Sequence, residues 1–516
     1  MGDLITGFGD ALTFSNVGWV VFGVTLGYVV GALPGLGKGT ATAVSIPLTF
    51  YISPLAAIAF LIGISKGSAA GSAVSAILIN TPGEASSTPT ALAGYPLARQ
   101  GKAQKALKMG LFASVMGDVA ATLALIVLAQ PLARFAMQIG PVELTAILAF
   151  SLIFIAGLSG RSMLKGLMAG LFGLLVACIG LEVETASPRM TFGMIELFDG
   201  LPLIPVAIGM LALSEMMVQI GQPYDPRAGG ADVNDAASRD DRRVTRADWK
   251  VSLPAIARGS LIGTVVGILP GLGASVGSFL SYGVTRRRSG KGDAFERDGA
   301  IEGVAASESA DNAVVPASLV PLFAIGIPGS VIAAILIGAF TIHGVTPGPM
   351  MFIQQKPLIM AIYASMLIAS LALLCIGYFG QGIFARIIRL SPALIMPVVV
   401  FLCCMGAYLQ GGGLFGLGIM IIFGMVGFLS KKFDYSFVTF LIGYILGPSF
   451  ELSLRQSLSL VHDASEILDH PIAIGFGVLT VLGIWQLGRM QRRAAREASA
   501  AAAANKASAA AAANKA

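Results

Sequence analysis

The feature that most constrains this chain is a helix break that occurs twice. Gly31-Ala-Leu-Pro-Gly-Leu-Gly37 returns as Gly267-Ile-Leu-Pro-Gly-Leu-Gly273 with one position changed. Each copy follows an apolar run, residues 17–30 or 260–266, and leads into another run rich in Gly, Ser and Thr. Proline removes an amide donor and crowds the preceding turn, and glycines let the backbone leave helical geometry, so a helix ends at each copy. In lipid the freed polar groups must be satisfied by protein or by a water-lined cavity. Costly breaks at corresponding points of two halves are the sequence sign of a solute site within a membrane bundle.

Composition fits a membrane bundle. The 516 residues are 55% hydrophobic and 12% charged, against roughly 25% charged in soluble domains. The 64 glycines suit closely approaching membrane helices. Cys178, Cys375, Cys403 and Cys404 lie in apolar runs without metal-ligand spacing. His343, His462 and His470 form no i, i+4 pair, so no metal site, cofactor or catalytic group is expected. Residues 1–15 contain Asp3 and Asp10 but no basic stretch, so no cleavable signal is expected. Nor does anything suggest a nucleic-acid partner; membrane lipid is the expected surround.

The chain then reads as two matching halves. In the first, a span at 16–32 leads to the break, followed by short pieces at 40–50, 54–65 and 68–80. Asn80-Thr-Pro-Gly83 is a second breaker, and a polar segment at 84–108 precedes spans at 109–129, 142–157, 166–181 and 201–220. The second half opens with 251–269 and its break. It continues through 274–284, a charged loop at 285–302, and an apolar stretch at 307–340 that Pro316, Pro321 and Pro328 interrupt. Gly326-Ile-Pro-Gly329 stands where the first half has Asn80–Gly83, and Phe384-Ala-Arg386 where it has Leu132-Ala-Arg134. Spans at 358–379, 392–409, 415–429 and 437–447 complete the match, and 472–487 is extra.

The expected organisation is therefore a first repeat over 1–220 and a linker at 221–250. A second repeat over 251–450 follows, then a segment with the extra span at 451–490 and a low-complexity tail at 491–516. Basic residues mark cytoplasmic loops. Arg99, Lys102, Lys105 and Lys108 are basic where the second-half equivalent, 341–355, is not; Arg286, Arg287, Arg288 and Lys291 are basic where 51–57 is uncharged. Equivalent loops thus fall on opposite sides. The fold class expected is an all-α polytopic membrane protein of about 10–12 spans. It has an inverted-topology repeat, broken helices and re-entrant hairpin-like segments. The N-terminus and the part of 451–490 that precedes the extra span lie outside, and the linker and tail inside.

Several residues carry candidate chemistry. Gly35-Leu-Gly-Lys-Gly-Thr40 imitates a nucleotide loop, but the position that such a loop requires to be glycine is Ala32 and a helix, not a strand, precedes it, so ATP binding is rejected. A helix starting at Gly39 or Ala274 instead aims free amides and its positive dipole end at the break, which suits a carboxylate. The candidate substrate contacts are Pro34, Gly35, Gly37, Lys38 and Gly39, with Pro270, Gly271, Gly273, Ala274 and Ser275 at the second break. The bland alternative is a structural kink. Lys66, in an apolar stretch with Ser65, Ser68 and Ser72, joins the substrate set, with snorkelling as its alternative. Oxygen-rich turns at Asn80, Thr81, Pro82, Gly83 and at Gly326, Pro328, Gly329, with Asp311 and Asn312, are candidates for a coupling cation; ordinary turns and caps are the alternative. Glu308 belongs beside Asp311 and Asn312 for a cation or a proton.

These motifs resemble a known family. The doubled Leu-Pro-Gly-Leu-Gly, Asn80–Gly83, residues 308–313 with Gly326-Ile-Pro-Gly-Ser330, and Glu451-Leu-Ser-Leu-Arg-Gln-Ser457 are similar to the large membrane subunit of tripartite tricarboxylate transporters over about residues 15–487. Asp311, where the family has Asn, and Val315-Pro316, where glycines are usual, depart from it. The resemblance implies a secondary carrier in the bacterial inner membrane that imports citrate-like or related carboxylates by symport with Na⁺ or H⁺. It also implies a small membrane subunit and a periplasmic solute-binding protein as partners. A passive organic-anion channel, a carrier for dicarboxylates or aromatic acids, and an intramembrane enzyme are the rival readings. No His-Glu-x-x-His motif supports the last.

Overall fold

The computed structural model describes residues 2–33, 35–158, 162–182, 185–220, 241–270, 272–387, 392–485 and 489. Most of the linker and the low-complexity tail, 221–240 and 491–516, lie outside the described residues. Helices α1 (Gly2–Ala11) and α2 (Phe14–Ala32) precede the first break. They are followed by α3 (Lys38–Ser45), α4 (Pro54–Ile79), α5 (Thr88–Leu97), α6 (Ala103–Ala136), α7 (Pro141–Leu158), α8 (Met163–Ala177) and α9 (Leu203–Ile220). The second half supplies α10 (Arg246–Ile268), α11 (Gly273–Ser289), α12 (Ile301–Ala317), α13 (Leu319–Ile325) and α14 (Val331–Ile342). It ends with α15 (Lys356–Ile387), α16 (Pro392–Gln410), α17 (Leu414–Lys432), α18 (Phe437–Leu460) and α19 (Pro471–Trp485). A two-residue hairpin, Gly180–Leu181 with Pro188–Arg189, carries the strands found among the described residues. Eight of these helices are long and apolar enough to cross a membrane and five shorter ones are apolar. The chain is an all-α polytopic membrane protein.

The two halves break in the same way for the same reason. Leu33 and Leu269 leave α2 and α10 in extended conformation, φ −82° and −81°, because the proline that follows each disfavours the helical region. At the second breaker the chain turns through a left-handed residue in both halves, Asn80 at φ 53° and Gly326 at φ 82°. Glycine or asparagine is what such a helix end requires.

Packing repeats as well. On α2, a Cβ at Gly23, Gly27 or Gly31 would strike the carbonyl of Phe60, Ile64 or Ser68 on α4. On α10, Gly259, Gly263 and Gly267 stand in the same relation to Ala306, Ala310 and Val314 of α12. Glycine at every fourth position lets each pair of backbones touch. This explains the first of two departures from expectation. The pieces expected at 54–65 and 68–80 are one helix, α4: Gly67 and Gly71 do not break it but press against the Val24 and Tyr28 carbonyls. Pro316 stays within α12, and the chain is interrupted only at Ser318 and at the Gly326 turn.

The helices gather into two compact units, each drawing on both halves of the sequence. One is Met1–Gln138 with Ile179–Leu429, the other Ile139–Cys178 with Ser430–Ala516. In the second unit, Gly173 of α8 meets the Phe440 carbonyl of α18, and His470 Nδ1 lies 2.6 Å from Glu143 Oε1. Both helix breaks and every candidate site residue belong to the first unit.

Candidate functional site

Breaks that are far apart in sequence meet in the first unit. The first turn of α3 approaches α14, where a Cβ on Gly39 would lie 3.7 Å from Val331. Gly83, from the second breaker, packs against the Gly31 and Leu33 carbonyls, and Gly37 faces Glu84. Residues Ala85–Ser87, just past that breaker, pack against α11 as it leaves the second break. The breaks at 31–37, 80–83 and 326–329 are thus neighbours, and the helix that follows the break at 267–273 packs beside them. Pro34 and Gly271 lie outside the described residues.

Lys38 is the centre of this meeting. Its side chain is buried, and its ammonium lies 2.8 Å from Asp311 Oδ1 and 3.0 Å from Glu84 Oε2. The backbone N–H of Lys38 also donates to Glu84 Oε1. Glu84 therefore occupies the place at the first break that suits an anion: a carboxylate at a helix N-terminus, held by an amide and an ammonium at once. Thr42, one turn along α3, donates to the Lys38 carbonyl and bonds Ser65 of α4 at 2.9 Å, which fixes the short helix. Gly35, at φ 78°, faces Gln219 and Glu215 at the end of α9. The second break differs: Gly273 has φ 69° with open space around it, and Ala274 and Ser275 are half-buried in the first turn of α11.

The expected cation set divides. Asp311 joins Lys38, and its Oδ2 carries no hydrogen bond among the described residues. Asn312 turns to α6, donating to Ser114 at 2.9 Å. Beside it, Glu308 is fully buried and accepts from Thr90 at 2.6 Å and Ser114 at 3.0 Å, both neutral donors. Pro328 and Gly329 are buried, Gly326 is half-buried at its turn, Pro82 is half-buried and Gly83 buried, while Asn80 and Thr81 are exposed. Lys66 is not brought to the breaks. Ser65 faces α3, but Lys66, the next residue around α4, reaches Asp118 of α6 at 2.9 Å. The apolar stretch of α4 is 100% buried, so the snorkelling alternative does not apply.

Two acids central to this picture, Glu84 and Asp118, were not singled out from sequence. Glu84 directly follows the Pro82-Gly83 breaker, and Asp118 is the lone acid in an apolar stretch of α6. Each position was a signal, since ionisable groups inside a membrane bundle are rarely there without a partner.

Comparison with known proteins agrees with the motifs. The model of the tripartite tricarboxylate transporter TctA family matches residues 17–442. A 52.8 kDa protein from the TAR-I ttuC′ 3′ region of Agrobacterium vitis is 34% identical over 476 residues, 92% of this chain and 93% of that protein. A second protein, from the TAR-II ttuC′ 3′ region of the same organism, is 34% identical over 224 residues, 43% of this chain and 92% of its own length. No solved structure matches. With its motif set, its doubled breaks and a match across most of its length, this chain belongs to the TctA family of tripartite tricarboxylate transporters.

Proposed function

We propose that this protein is the carrier subunit that moves a citrate-like or related carboxylate into a bacterial cell. It works as a symporter fed by a periplasmic solute-binding protein and assisted by a small membrane subunit. The observation that carries this reading is the internal carboxylate of Glu84, seated at the start of α3 between the Lys38 amide and ammonium. A group that holds one carboxylate in this way has the chemistry to hold another. An incoming substrate carboxylate takes the place of Glu84, with the first turn of α11 available to a second carboxylate across the breaks.

Charge arithmetic then supplies the need for a coupling ion. One ammonium, Lys38, already faces two carboxylates, Glu84 and Asp311. Bringing in an anion leaves Glu84 without its cation, and an unpaired charge in a desolvated site is costly. Entry of Na⁺ or H⁺ beside Glu84, Asp311 and the turns at 80–83 and 326–329 offsets that deficit, so anion and cation move together. The matching breaks, related by the inverted repeat, open in turn to either side, with the N-terminus periplasmic and the C-terminus cytoplasmic.

The test is uptake of labelled citrate by sealed proteoliposomes containing the full complex and its binding protein. Uptake is expected to follow an imposed Na⁺ or proton gradient and to ignore internal or external ATP. Accumulation that persists with both gradients collapsed refutes the reading.

A further inference from the structure

The surroundings of Lys66 contain more oxygen than a lysine needs. Its Nζ lies 2.8 Å from the Met366 carbonyl, 2.9 Å from Asp118 Oδ2, 3.1 Å from Ser370 Oγ and 3.3 Å from Thr122 Oγ1. An ammonium has three donors in fixed directions, yet four oxygens from α6 and α15 converge on it. The other Asp118 oxygen, Oδ1, is buried and makes no hydrogen bond among the described residues. A carboxylate, a carbonyl and two hydroxyls, closed off from water, are the donors that replace the hydration shell of a small hard cation.

The repeat gives an independent view of the same place. The register that sets Asn80–Gly83 on Gly326–Gly329 sets Lys66 on Asn312. The register that sets Leu132-Ala-Arg134 on Phe384-Ala-Arg386 sets Ser114 on Met366 and Asp118 on Ser370. Asn312 reaches Ser114 as Lys66 reaches Met366. The second half thus carries the same cross-connection with a neutral amide, so the connection does not in itself require a charge. The first half alone combines the acid and the ammonium.

We propose that the cage formed by Asp118, Thr122, Met366 and Ser370 is a monovalent-cation site whose cation is supplied by the chain itself as Lys66. Removal of the lysine side chain vacates the site for a free ion. The tethered ammonium cannot exchange, so Lys66 positions α4 against α6 and α15 and does not touch the transported anion. The coupling ion binds elsewhere.

The experiment uses the full chain in detergent, with thermal unfolding of Lys66→Ala followed in N-methylglucamine chloride. The sample is then titrated at constant ionic strength with sodium, potassium, ammonium or methylammonium chloride. The midpoint of Lys66→Ala is expected to fall by several degrees and to recover with at least one small cation, rising with the logarithm of its concentration above saturation. The unaltered chain should gain less from the same salt, and Lys66→Ala/Asp118→Ala should not show the recovery. Should Lys66→Ala fail to accumulate, the double variant is expected to do so, because no charge is left unpaired. Indifference of Lys66→Ala to all four cations overturns the proposal. So does equal recovery by the double variant, or failure of both variants to accumulate.

Discussion

If Glu84 holds the place of a substrate carboxylate, weakening it should tighten substrate binding, the reverse of what removing a true ligand would do. Glu84→Gln tests this. Glutamine keeps the length and can still accept from the Lys38 N–H, but it surrenders the charge that faces the ammonium 3.0 Å away. The Glu84 side chain is 18% exposed, which places its bonds at the lower end of the roughly 1.5–3 kcal/mol given by hydrogen bonds to charged groups. Substrate must displace this occupant, so its apparent affinity is reduced by the fraction of time the site is filled from within. Lowering the occupancy term by about 1.5 kcal/mol corresponds to about a tenfold fall in the half-saturating concentration. Lys38 retains Asp311 at 2.8 Å, so the local structure has a partner left to hold it. The assay is initial uptake into proteoliposomes across a range of liganded binding protein, with direct titration of substrate onto the purified membrane complex as a control. A well-folded Glu84→Gln protein with unchanged or weaker substrate affinity would refute the displacement argument.

Two further outcomes follow from packing and from charge. Gly27→Val should sharply reduce the folded fraction of detergent-extracted protein after mild heating, read by size-exclusion profile, because its Cβ would strike the Ile64 carbonyl of α4. Overpacking of this kind costs at least about 1–3 kcal/mol, whereas Gly18→Val, on open space, should behave like the parent. Single cysteines at Arg288 and Met350, both exposed, should react with an impermeant thiol reagent from opposite faces of oriented vesicles on a background lacking the native cysteines; labelling of both from one side contradicts the inverted topology.

The breaks were legible because they are local chemistry. Proline after Leu33 and Leu269, and a turn-forming residue at Asn80 and Gly326, fix the backbone whatever surrounds them. The small residues of α4 misled for the opposite reason. Gly67 in isolation favours a broken helix, and only the presence of the Val24 carbonyl shows that it is a contact surface. The same limit hid the pairing of the charges. Lys38 reads as a free cation beside a helix start, but its partners Glu84 and Asp311 come from positions 46 and 273 residues away. Lys66 reads as a lone cation in an apolar stretch until α6 and α15 supply its partners. Residue type announced that these groups needed partners, and tertiary packing chose which.

Asp118 and Ser370 touch at 2.5 Å although they hold the same place in their two halves. Had those halves been separate identical subunits facing each other across a two-fold axis, a single residue type would have stood at both places. Two carboxylates so close would repel, while two serines would bond. An acid on one side only, answered by a lysine on that side only, is open to a chain in which the two copies are joined and free to diverge. The charge at this contact is therefore one that two copies varying independently can hold and an identical pair cannot.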